Sequence, residues 1–263
     1  MKAYRAIISA RFRMFLQYRA AAIAGVGTQL FFGLVLIMIY EAFYRSSSAP
    51  KPMSYPQVVT YVWLGQAFLA MLPWYTDYEI YGLIRTGAVA YELLRPVDLY
   101  AFWYCRILAS RSASTLLRAV PIFLIAGLFL GLRPPPTLAS AAAWALAMLG
   151  ALLLGCSISV LTMLSLLWTT SGLGITQLVS TVVLVLSGMS VPLPLFPDWA
   201  RPILDVLPFR GLVDVPFRLY NGSLPPEEVL PLFLQQLAWT AGLVLLGRWL
   251  LGRGMRRLVV QGG

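Results

Sequence analysis

The sequence contains no histidine and only two cysteines, Cys105 and Cys156. Without histidine there is no Ser-His-Asp arrangement, and most transition-metal sites are excluded. The two cysteines stand far apart in apolar stretches, where thiols act as packing residues rather than as a disulfide or a nucleophile. Charge is scarce as well. Charged residues make up 11% of the chain, against about 25% in ordinary globular domains. No G-x-x-x-x-G-K-[ST] segment occurs, so the chain lacks the backbone cradle that holds nucleotide phosphates. No paired acid and base or metal set falls within the apolar stretches, as an embedded hydrolase would require.

What the chain has in abundance is apolar surface. Of 263 residues 59% are hydrophobic, and the mean hydropathy is +0.77. A water-soluble fold cannot hide that much, so the expected class is an all-α integral membrane protein forming a single domain over residues 1–263. A helix rising ~1.5 Å per residue needs about 20 residues to cross the hydrocarbon core. The uncharged stretch 20–40 supplies a first span ending near Glu41, and 56–76 a second. Segment 77–118 carries nine charges, so span three must reach back to about Ser112 and let Arg118 snorkel, within a region 98–132 that includes a cytoplasmic extension. Residues 134–197 hold no charge. They predict spans four and five, about 138–168 and 175–191, broken at the Gly- and hydroxyl-rich 169–174. Span six is 229–247, followed by a basic tail over 248–263.

Charge orients this arrangement. Five Lys/Arg precede span one, five lie between spans two and three, and four are in the tail, making 14 on one side against six on the other. The side with 14 basic residues is expected to be cytoplasmic, with both termini there. That accounts for the net charge of +10 through anionic inner-leaflet lipid, with no nucleic acid needed. Trp74, Trp103, Trp168 and Trp249 are expected at the inner interface, and Trp144 and Trp199 at the outer one.

Three segments are more than spans. Residues 1–19 interleave Lys2, Arg5, Arg11, Arg13 and Arg19 with apolar residues, the pattern of an amphipathic helix in the membrane surface. Between spans two and three, Ile80, Ile84, Gly87, Tyr91 and Leu94 recur at intervals of 4, 3, 4 and 3, which predicts one helical face over 77–96, stopped by Pro96. Such a ridge either lies on the membrane or fills a partner's groove. The third segment, 192–228, is broken by eight prolines yet rich in Leu, Ile, Val and Phe. It predicts two short helices dipping back from the outer surface, the first capped by Asp198, serving either to pack the fold or as a lid over an exit path.

Taken together, the basic first helix, the run Ile84-Arg-Thr-Gly-Ala-Val-Ala-Tyr-Glu-Leu-Leu-Arg-Pro96, the broken segment 192–222 and six spans of this spacing resemble the membrane subunits of ABC transporters of the ABC-2 exporter type. The resemblance implies a permease that binds no cofactor itself, with ATP and magnesium held by a separate ABC ATP-binding subunit, and a second permease chain beside it. It implies a bacterial-type inner membrane location and export of a hydrophobic or amphipathic cargo, whether drug, peptide or lipid-like. By position it makes Ile84, Arg85, Gly87, Tyr91, Glu92, Leu94 and Arg95 the ATPase-coupling residues, with Gly87 allowing close approach. Arg11, Arg13 and Arg19 hold the interfacial helix beside the same ATPase. Gln29, Gln66, Thr176 and Gln177 are candidates to line the path, and Pro192, Phe196, Trp199 and Phe209 to form an outer gate. The competing class is a stand-alone ion-coupled transporter or channel, which would want ionisable residues at mid-membrane and repeated halves.

Overall fold

A computed structural model describes residues 2–46, 51–74, 77–168 and 173–255. Among these the regular structure is entirely helical: α1 Lys2–Leu16, α2 Arg19–Ser46, α3 Tyr55–Phe68, α4 Tyr78–Arg85, α5 Val89–Leu93, α6 Leu99–Phe129, α7 Leu138–Leu164, α8 Leu173–Leu186, α9 Arg201–Val206, α10 Asp214–Asn221 and α11 Val229–Met255. Short 3₁₀ turns extend several of them. Four helical stretches, Arg19–Ser46, Leu99–Phe129, Leu138–Leu167 and Pro226–Met255, are long and apolar enough to cross a membrane.

The expected spans two and five are shorter as helices than the uncharged runs suggested. α3 and α8 have 14 residues each, about 21 Å. After α3 a 3₁₀ turn over Leu69–Met71 leads to Leu72 in extended conformation, ψ 152, the backbone that a following proline, here Pro73, imposes. α8 stops at Leu186 rather than near Val191, because Gly188 takes φ +87, a left-handed conformation that ends a helix. The break expected at 169–174 falls mostly on residues outside those described, as do Thr76 and the tail arginines Arg256 and Arg257. In contrast, α6 is longer than expected. It runs unbroken for 31 residues through Pro121, capped by Asp98, whose carboxylate accepts from the Ala101 N–H at 2.8 Å. Span three and its extension are one rod. α11 likewise continues to Met255, carrying Arg248 and Arg253 as helical residues.

The core forms around α3, which is enclosed from Val58 to Ala67. Gly33 of α2 makes room for Trp63: a Cβ there would sit 2.5 Å from the indole ring. Trp63 in turn donates its N–H to the Leu130 carbonyl at 2.9 Å, tying α3 to the end of α6. Behind it Tyr61, Phe68, Phe123, Trp144, Phe217 and Tyr220 meet largely edge to face, the arrangement that aromatic quadrupoles favour. α7 packs along α11, and Gly150 admits the Gln236 amide, which donates to the carbonyls of Ala147 and Gly211 at 3.0 and 2.7 Å. Where lipid offers no hydrophobic drive between helices, small residues and buried amides of this kind hold them together.

The proline-rich segment folds inward. α10 buries Val215, Phe217, Leu219 and Tyr220 against α3 and α7. Asp198 does not cap a helix there. α9 starts three residues later behind Ala200, and the exposed Asp198 carboxylate pairs with Arg201 at 3.0 Å. Trp103, expected at the inner interface, is fully buried within the protein. Its polar edge finds a protein partner instead of a headgroup.

Candidate functional site

At the end of the molecule where α1 lies, α4 and α5 form a small hairpin on the side of α6. Asp77 caps α4, accepting from the backbone N–H groups of Glu79 and Ile80 at 3.0 and 3.2 Å. The same carboxylate accepts two bonds from Arg106 of α6, from Nη2 at 2.9 Å and Nε at 3.0 Å, a bidentate charge-assisted pair. Arg106 is 2% exposed and also donates to Glu79, Nη1 to Oε1 at 2.9 Å. Glu79 reaches outward as well, accepting from both Nη atoms of Arg11 at 2.9 Å. Two arginines and two carboxylates therefore join α1, α4 and α6. The Arg11 hydrogen bonds, then the charge of Arg106, hold the Glu79 carboxyl below its ordinary range, and the Glu79 hydrogen bonds raise Arg11.

The hairpin bends at Thr86-Gly87. Thr86 turns its hydroxyl back onto the Gly82 carbonyl at 2.8 Å, and Gly87 adopts φ +72. Within the chain, glycine is needed there for that left-handed backbone and not for close packing, since a Cβ would meet nothing within 4 Å. This break overturns the continuous helical face expected over 77–96. Ile80 and Ile84 turn inward against the α6 and α7 side chains, among them Trp103 and Leu164, whereas Tyr91 and Leu94, 75% and 81% exposed, point away with Tyr78 and Leu93. Glu92, expected among the docking residues, is buried and accepts the Trp103 indole N–H at 2.9 Å. Arg95 lies over the Phe102 ring at 5.1 Å and pairs with Glu92 at 3.7 Å. Arg85 remains exposed, as do Arg13 on α1 and Arg19 at the start of α2.

α1 is fastened to the other helices. It crosses α6, the Tyr4 hydroxyl accepts from the Asp98 N–H at 3.1 Å, and the Asp98 carboxylate takes Arg248 of α11 at 3.2 Å. Four helices thus converge on one charged, hydrogen-bonded end, with an apolar tip projecting from it. Among the described residues at this end no nucleophile is paired with a base.

Residues 20–262 match the family model described as ABC-2 family transporter protein. The chain belongs to the ABC-2 family of transporters. No curated protein and no solved structure matches it. It is accordingly a multi-pass membrane transport component.

In this ABC-2 transporter the four path candidates lie on three helices, α2, α3 and α8. Gln29 of α2 is buried with neither amide atom hydrogen-bonded. Gln66 is buried on α3, where it shares a small cavity with Tyr40, Tyr61 and Pro192. Thr176 and Gln177 sit on α8, the latter exposed. The gate candidates are also dispersed. Pro192 is buried, Phe196 packs on Leu193 and Leu204, Phe209 joins the aromatic core, and Trp199 is 76% exposed.

Two centres escaped the sequence reading. One is Arg106 with Asp77, which in the sequence are only two of the nine charges of 77–118. The other is Asp214 at the opposite end, fully enclosed. It accepts from the Leu193 N–H at 3.2 Å and from Arg218 at 3.3 Å, with the Tyr61 hydroxyl at 3.5 Å. The four-residue spacing of Asp214 and Arg218 was the available signal.

Proposed function

We propose that this chain is the permease subunit of an ATP-driven exporter, docking an ABC ATP-binding subunit through the α4–α5 hairpin and moving a hydrophobic or amphipathic cargo outward. The single observation that carries the reading is the hairpin itself. Its inward side is clamped to α6 by Arg106 and Trp103, while Tyr91, Leu93 and Leu94 stand exposed at its tip. An exposed apolar tip on a rigid base suits a groove in a partner, and force delivered there passes directly into a 31-residue helix.

The topology that goes with it has six crossings with both termini in the cytoplasm. α3 with its 3₁₀ turn spans 17 residues, 55–71, about 27 Å, close to the hydrocarbon thickness of ~30 Å. α8 opens the fifth crossing, and the buried α10 belongs to a re-entrant outer segment. Exposed apolar residues on α2 and α11, including Phe31, Phe32, Leu245 and Trp249, face lipid or a second permease chain. ATP and magnesium belong to the partner.

The test is co-purification from the native membrane. The wild-type chain is expected to bring an ATPase with it, and Tyr91→Asp or Leu94→Asp to lose it while the permease still inserts and melts normally. A chain that transports alone, indifferent to ATP, overturns the reading in favour of an ion-coupled carrier.

A further inference from the structure

Two arginines of α6 stand outside the ion-pair network. Ile107, Arg111, Ser114 and Arg118 follow at intervals of four, three and four, so they share one stripe of the helix, and together they line a cavity of about 500 Å³. Phe15 and Tyr18, at the turn between α1 and α2, form part of its wall, and Asp77 and Glu79 part of its rim. That volume lies within the ~300–1,000 Å³ of small-ligand sites.

The charge inside it does not balance. Asp77 and Glu79 are matched by Arg106 and Arg11, two against two. Arg111 is 8% exposed and meets only neutral acceptors: the Met71 carbonyl at 2.9 Å, the Leu72 carbonyl, and the Ser159 hydroxyl at 2.6 Å. Its Nε has no partner. Arg118 makes no ion pair or hydrogen bond among the described residues, and its guanidinium lies against α2 at Gly25, 3.1 Å from where a Cβ would be. Two uncompensated cations therefore face one space, and a charge held away from water without a counter-ion is costly.

Depth narrows what can answer them. Gly25 is six residues into α2 from Arg19, about 9 Å along the axis. Arg118 reaches back to that level because helical side chains lean toward the N-terminus. The charged heads thus sit just inside the α1 end, beside the aromatic elbow, where the phosphate of a membrane amphiphile lies. We propose that this cavity binds a phosphate-type anion, gripped by Arg118 with the Ser114 hydroxyl nearby, and drawn in by the uncompensated charge of Arg111 in the wall. A lipid headgroup and free phosphate share that chemistry. The site is independent of any ATPase contact.

The full-length chain in phosphatidylcholine nanodiscs containing some phosphatidylglycerol, washed and weighed by native mass spectrometry, tests the site. Wild type is expected to retain one phosphatidylglycerol. Arg118→Gln and Gly25→Leu, which pushes the guanidinium aside, should each bind it about tenfold more weakly. Arg118→Lys should keep it, and Arg133→Gln at the opposite end should match wild type. A second arm uses phosphatidylcholine alone with inorganic phosphate. Arg118-dependent thermal stabilisation there, without lipid retention, identifies free anion as the ligand. If Arg118→Gln does not fold, Gly25→Leu against Arg118→Lys decides. Variants that bind phosphatidylglycerol and respond to phosphate as wild type does overturn the proposal.

Discussion

Trp103 gives its indole N–H to the Glu92 carboxylate at 2.9 Å, and both side chains are closed off from solvent. α5 is thereby fastened to α6 by a charge-assisted bond that no water competes for. Glu92→Leu should leave the indole unsatisfied and cost ~1–3 kcal/mol, whereas Glu92→Gln keeps an acceptor and should cost under ~1 kcal/mol. Thermal unfolding in detergent separates the two, and equal losses would contradict the role of the bond.

Arg106 and Arg11 share Glu79 but not its environment. Arg106 is enclosed, while the Arg11 and Glu79 side chains are 23% and 54% exposed. Arg106→Met strands the Asp77 carboxylate, 17% exposed, and should cost ~3–5 kcal/mol; Arg11→Met breaks a screened pair and should cost ~0.5–1 kcal/mol. The ordering is what chemical denaturation must reproduce.

Acid should loosen α1. Glu79 is held below its usual range chiefly by Arg11 and Arg106. Its pairing therefore contributes above the unfolded value of about 4.3 and is lost as pH falls through the lower folded value. A spin-label pair between α1 and α4 should keep its distance at pH 5 and lengthen only well below 4.3. Glu79→Gln should remove that step.

Gly87→Ala asks a Cβ to accept φ +72, a strain of ~1–2 kcal/mol. Because nothing crowds the position, global melting should drop modestly. ATPase-coupled transport should fall further, since the turn sets the direction of Tyr91 and Leu94. Loss of stability in full proportion to loss of transport would argue against this.

Length and charge made the membrane class and the long helices legible, and the family was legible only in the resemblance of several segments taken together. Span three was read from about Ser112, with the charged stretch before it as a cytoplasmic extension, because Arg106 and Arg111 had no visible partners. Their acceptors, among them Asp77, Glu79 and the Met71 and Leu72 carbonyls, are 27 to 40 residues away, and no local pattern announces them. The 77–96 face failed for the opposite reason: the apolar spacing was real, but one left-handed glycine rotated its second half outward. The prolines of 192–226 go with short helices, while the enclosure of Asp214 depends on Tyr61 and Leu193, which sequence does not place beside it.

The bond between Arg11 and Glu79 crosses 68 residues of chain. At synthesis rates of ~5–20 residues per second, α1 leaves the ribosome roughly 3–14 s before its acid does, and Arg106 comes later still. During that interval α1 carries its arginines without their acids, so its final seat is a late event, reached only when α4 and α6 have arrived. Quality control that inspects this chain during insertion would find its first helix unseated until α6 has emerged.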